Sequence, residues 1–167
     1  MARGRPLEVE LELIEAFRHS GRVNEYLASV LPAKIWRAAP PGGRGRTIAA
    51  MFAHIQGVRR TFARMAGARP PKLDRESVTP AEAARAFQRS TDDLAKLFEA
   101  TLAARRTRVK GMPRRVIDMM TYMIQHDAHH RGQICMLARD LGHEFKGEDS
   151  MRIWGWKALP PRRGQTG

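Results

Sequence analysis

Gln125-His126-Asp127-Ala128-His129-His130-Arg131-Gly132-Gln133 holds three of the chain's six histidines and lies within its longest periodic segment. Val116, Met119, Met120 and Met123 precede the stretch, and Ile134, Leu137 and Leu141 follow it. Spacings of three and four mark an amphipathic helix with one apolar stripe. His130 falls on that stripe, one heptad from Met123 and one from Leu137. His126 stands one turn before His130, so both imidazoles lean to the same side of the helix. A helix offers two nitrogens to one metal ion in this way, as in the H-x-x-x-H part of zinc-protease helices. Those helices carry glutamate directly after the first histidine. Asp127 stands there with a shorter side chain, so a protease reading is poor.

Paired histidines one turn apart also occur as surface or hydrogen-bonded core residues, so a third donor matters. His54 supplies one. Thr47 is a suitable N-cap for a second helix whose stripe runs Met51, His54, Val58, Phe62 and Met65, with Gly67 as its stop. Three histidines near mid-helix on two core-directed stripes converge if the two helices face each other.

The remaining chain reads as two further long helices. Residues 7–31 carry Leu13, Ile14, Phe17, Tyr26, Leu27, Val30 and Leu31, with acidic residues in the opening turns. Ser20-Gly21 within it marks a kink or a close helix contact. Residues 32–46 are rich in Pro and Gly and long for a bundle loop, which predicts a crossover pinned by Ile35 and Trp36. Thr79-Pro80-Ala81-Glu82 is a capping box with proline at the first helical position. The helix it opens carries Phe87, Leu94, Leu97 and Phe98. Gly111-Met112-Pro113 then opens the fourth helix, which closes at Gly142. The expectation is an all-α four-helix bundle with a long crossover, one domain over residues 1–167 with its core in 7–142. A tail, 143–167, packs its Trp154 and Trp156 on the bundle and frays at its end.

A chain of 167 residues with 43% hydrophobic and 28% charged residues suits one globular core. No run approaches a membrane span. The lone Cys135 excludes an internal disulfide and fits the cytoplasm. Net charge is +13 and pI about 11.2, which raises nucleic acid or another polyanion as a partner. The basic residues are spread out and concentrate only at Arg105-Arg106-Thr107-Arg108-Val109-Lys110 with Arg114-Arg115. No aromatic residue is interleaved there for base stacking, so nucleic acid is not favoured.

These residues give the chain a resemblance to the DinB/YfiT-like family of bacterial metal-binding four-helix bundles, within a thiol-dependent S-transferase-like superfamily. His126-Asp-Ala-His-His130-Arg-Gly-Gln133, Ala53-His54-Ile55 and the lead-in Pro40-Pro41-Gly42-Gly43-Arg44-Gly45-Arg46-Thr47-Ile48 carry it, over roughly residues 7–142. The resemblance implies one divalent metal held by His54, His126 and His130, with His129 a neighbour. It also implies frequent homodimers and kinship with transferases and isomerases that use mycothiol, bacillithiol or glutathione.

A three-imidazole set leaves a coordination position open, and an ion there activates a bound water or thiol. Imidazole suits zinc, nickel, copper or iron, with zinc and nickel ranked first. Cys135 lies five residues from His130 and nine from His126, which turns it away from both. Asp127 either orients a histidine or pairs with an arginine of another helix. Arg131 and Gln133 either contact substrate or cap the outer face, and Gly132 admits a neighbouring helix. Two functions follow: a metal-dependent transferase or hydrolase acting on a small substrate, or a non-enzymatic, metal-braced bundle whose basic surface binds nucleic acid or another polyanion.

Overall fold

The computed structural model describes residues 8–161, which are helical with no strand among them. Helix α1 spans Val9–Val30, with Glu10 and Glu12 in its first turn where acidic charge complements the helix dipole. Pro32 cannot continue it and instead caps a short helix α2, Ala33–Trp36. A 3-10 turn at Pro41–Gly43 leads to α3, Ile48–Met65, where the Thr47 hydroxyl accepts the Ala50 N–H at 3.2 Å. Helix α4, Pro80–Ala103, starts with both halves of the capping box in place. Helix α5 spans Val116–Asp140 and α6 spans Gly147–Ile153.

Helices α1 and α3 each pack along α4 and α5, and the main neighbour of α1 is α4. The segment between α1 and α3 is therefore a crossover, as its length predicts. Ile35 and Trp36 are buried in it, and the Trp36 indole donates to the Val78 carbonyl at 2.7 Å. Gly21 provides the close contact. A Cβ there would lie 2.2 Å from Thr91 Oγ1, so only glycine lets α1 and α4 approach so far.

Buried apolar residues form two clusters. One gathers Leu27, Trp36, Phe52, Ile55, Phe87 and Ile134. The other gathers Phe17, Ala63, Leu94, Phe98, Met119 and Met123. On each long helix, buried polar residues fall between the two: Ser20 and Asn24 on α1, Gln56 and Arg59 on α3, Ser90 and Thr91 on α4, Asp127 and His130 on α5. A polar layer thus crosses the bundle at mid-height.

Four expectations are corrected. Helix α5 begins at Val116, not at Gly111-Met112-Pro113, because Gly111 takes a positive φ of 84° and sits where a Cβ would lie 2.2 Å from the Met65 carbonyl oxygen at the end of α3. Met65 is 49% exposed and not on the core stripe. Trp154 and Trp156 are 76% and 83% exposed. The tail docks instead through buried Ile153, a Tyr26–Asp149 hydrogen bond and Arg152 over the Tyr26 ring. Gly132 faces open space, so no neighbouring helix explains it. The expected fraying of the chain end falls on residues outside the described range.

Candidate metal centre

Helices α3 and α5 pack against each other and bring His54, His126 and His130 together. One ligand nitrogen from each lies within 4.8 Å of the other two. The ring centroids are 5.4 Å (His54–His126), 4.7 Å (His54–His130) and 4.6 Å (His126–His130) apart. His130 is buried, while His54 and His126 are half-buried at the edge of the polar layer. Zinc–nitrogen bonds of about 2.0–2.1 Å would draw the three nitrogens closer together than this. The donor chemistry fits a borderline divalent metal: three imidazoles, no carboxylate in the set.

Gln133 fixes the nitrogen of His130 that stays free. His130 Nδ1 lies 2.7 Å from Gln133 Oε1, an acceptor, so Nδ1 carries the proton and Nε2 keeps its lone pair. The same amide donates from Nε2 to His129 Nε2 at 3.1 Å. That lone pair of His129 is thereby engaged, which leaves His129 a neighbour of the triad, with its ring 5.0 Å from that of His130. Burial lowers the pKa of His54, and Arg46 and the other two histidines lower it further. Burial also lowers that of His130, against the Gln133 hydrogen bond. Both shifts favour the neutral, metal-binding form at neutral pH.

Asp127 pairs with an arginine, Arg59 of α3. Its Oδ2 accepts from Arg59 Nη2 at 2.5 Å, Arg59 Nε at 3.2 Å and Asn24 Nδ2 at 2.9 Å. Arg59 Nη1 donates to Thr91 Oγ1 at 2.8 Å, and Arg131 Nη1 to Asn24 Oδ1 at 3.1 Å. All four long helices meet in this cluster. Burial, the largest single influence, would raise the Asp127 pKa, but Arg59, the neighbouring His126 imidazole and Arg131 together outweigh it and hold the carboxyl below its ordinary range. Arg131 therefore belongs to the core network and Gln133 to the histidines.

Sequence reasoning passed over Asn24, Arg59, Phe62 and Tyr122 as parts of the site. Arg59 follows Ile55 by one turn and Phe52 by two, and a cation on such a stripe was the available signal. Phe62 and Tyr122 meet edge to face at 5.8 Å, and Tyr122 lies 5.8 Å from the His126 ring at a 32° tilt. They form an aromatic wall on one side of the triad. Cys135 lies outside the histidine cluster, packed against the first apolar core.

No curated protein and no solved structure matches the chain. Among protein families, the DinB family matches residues 5–160, from ahead of α1 to beyond α6. The match takes in both helices that carry the histidines and reaches past the 142 boundary of the resemblance. Nearly the whole chain is covered, and it belongs to the DinB family.

Proposed function

We propose that His54, His126 and His130 bind one divalent ion, with zinc or nickel first in rank, and that the chain is a transferase or hydrolase acting on a small substrate. The observation that carries this reading is the convergence of three imidazole nitrogens from two helices. When bound with an open position, such an ion supplies Lewis acidity and lowers the pKa of a water or a low-molecular-weight thiol.

The chain's own residues prepare the site. Gln133 holds the proton of His130 on Nδ1 and leaves Nε2 free. Burial lowers the pKa of His54 and of His130, which reduces the competition of protons with a ligand bond. Phe62 and Tyr122 offer an apolar face beside His126 against which a substrate packs. The net charge of +13 draws anionic molecules toward the chain.

The test begins with metal analysis of protein prepared without chelator. One ion per chain is expected, and it is lost in His130→Ala. Unchanged metal content in that variant rejects the ligand set. A panel of mycothiol, bacillithiol and glutathione with an electrophile, and of esters with water, then assays turnover, which must vanish on chelation.

A second reading is favoured by one feature: the basic run from Arg105 to Lys110 is exposed apart from Val109. Polyanion binding would use it. We expect DNA affinity at physiological salt in the non-specific range of roughly 10⁻⁴–10⁻⁶ M. Tight, sequence-selective binding reverses the ranking of the two readings.

A further inference from the structure

We infer that Asp127 is a positioning residue for His126: its free oxygen, Oδ1, accepts the Nδ1–H of that histidine and turns Nε2 toward His54 and His130. The inference rests on the metal-centre reading above and adds the tautomer and its cause.

The two oxygens of Asp127 have different surroundings. Oδ2 accepts from Arg59 twice and from Asn24. Oδ1 is buried and has no hydrogen-bond partner, although the residue is 0% exposed. Pairing with Arg59 explains Oδ2 and leaves Oδ1 unexplained. Buried carboxylate oxygens take partners, and an unfilled one needs a reason. His126 Nδ1 lies 3.9 Å from Oδ1, just outside hydrogen-bond range, and a small turn of the imidazole closes the gap.

The carboxylate cannot swing away from this duty. Arg59 is tied to Thr91 on α4, and Asn24 of α1 is tied to Arg131. Asp127 is thus clamped from α1 and α3, and its spare oxygen is a fixed acceptor one residue from His126. Imidazoles that bind metal through one nitrogen hold their other N–H on such an acceptor, which sets the tautomer. His130 already has this arrangement with Gln133 Oε1. Both α5 histidines then carry Nδ1–H and present Nε2, through different acceptors.

Long-range proton–nitrogen spectra of the histidine rings, recorded above neutral pH, read the tautomer directly. His126 is expected to carry its proton on Nδ1 in metal-free and in zinc-loaded protein. Zinc affinity is then measured by chelator competition. In Asp127→Asn the amide oxygen faces Arg59 and Asn24, leaving the amide nitrogen toward His126. That nitrogen donates to Nδ1, moves the ring proton to Nε2 and blocks the ligand atom. Zinc binding should weaken by roughly 10–100-fold. Ser90→Ala, which removes a buried hydrogen bond to Gln56 away from Asp127, should lower the melting temperature and leave zinc affinity unchanged. A merely structural Asp127 would make Asp127→Asn behave like Ser90→Ala. A His126 proton on Nε2 in the natural protein, or wild-type affinity in Asp127→Asn, overturns the inference. If Asp127→Asn fails to fold, the spectrum of the natural protein decides. Failure of the natural protein to take zinc rejects the metal reading alone, because the metal-free spectrum still reports the tautomer.

Discussion

Arg59→Met tests the polar layer at its centre. Both side chains of the Arg59–Asp127 pair are 1% exposed, and Arg59 makes two hydrogen bonds to Oδ2 and one to Thr91. Removing one partner of such a pair leaves a buried charge and costs about 3–5 kcal/mol. Total stability for a domain is about 5–15 kcal/mol, so the loss is a large fraction of it. At about 2–4 °C per kcal/mol for a chain of this size, the melting temperature falls by about 6–20 °C. Asn24 still donates to Asp127, which argues for the lower half of that range. The assay is thermal and urea unfolding by circular dichroism in the presence of chelator, so that metal does not contribute. Arg59→Met combined with Asp127→Leu should recover most of the loss, because an apolar pair avoids desolvating two charges. The pH dependence has a definite sign. The Asp127 pKa is lowered in the fold, so its stabilisation is present above the unfolded value of about 3.9 and is lost as pH falls below it. Without Arg59 burial dominates, and the deficit of the variant should shrink as pH falls toward about 4. A cost below about 1 kcal/mol, as for an exposed pair, would refute the reasoning, and so would simple additivity in the double variant.

Further outcomes follow from other parts of the molecule. Chelated protein should keep its helical circular dichroism and melt cooperatively, losing at most about 2.7 kcal/mol if metal had been present at about 100 times its Kd; loss of helix would instead mark a structural ion. Gly21→Val should destabilise by about 1–3 kcal/mol, since its Cβ would meet Oγ1 of the buried, β-branched Thr91 at 2.2 Å, and in a Thr91→Ala background, which removes the two nearest atoms, the cost of Gly21→Val should be smaller; unfolding curves of the single and double variants decide. Burial pushes the Cys135 thiol up, against the charge of Arg131. Disulfide reagents should therefore react with it more slowly at pH about 8 than with an unfolded thiol, and its contribution to stability should fall as pH rises through the unfolded value of about 8.5.

The helices were legible because their signals are local. Thr79 to Glu82 caps α4 as its spelling requires, and Pro32 ends α1. The convergence of His126 and His130 was also local, a matter of one helical turn. The position of His54 was less so. The stripe drawn through Met51, His54, Val58, Phe62 and Met65 is rotated from the face that is buried, which runs through Phe52, Ile55, Gln56, Arg59 and Ala63. Two of those five residues are polar, and an apolar-stripe reading discards polar residues from the inside. Their burial depends on other helices: Thr91 and Asp127 accept from Arg59, and Ser90 donates to the Gln56 side-chain oxygen. That satisfaction is a long-range property that no window of one helix contains. The same rotation explains why His54 is half-buried. A ligand in the middle of the apolar face would be shut away from solvent, and one on the outer face would have no partners to meet. At the edge of the stripe, beside a polar layer, three imidazoles can converge and still leave a side open to an incoming ligand.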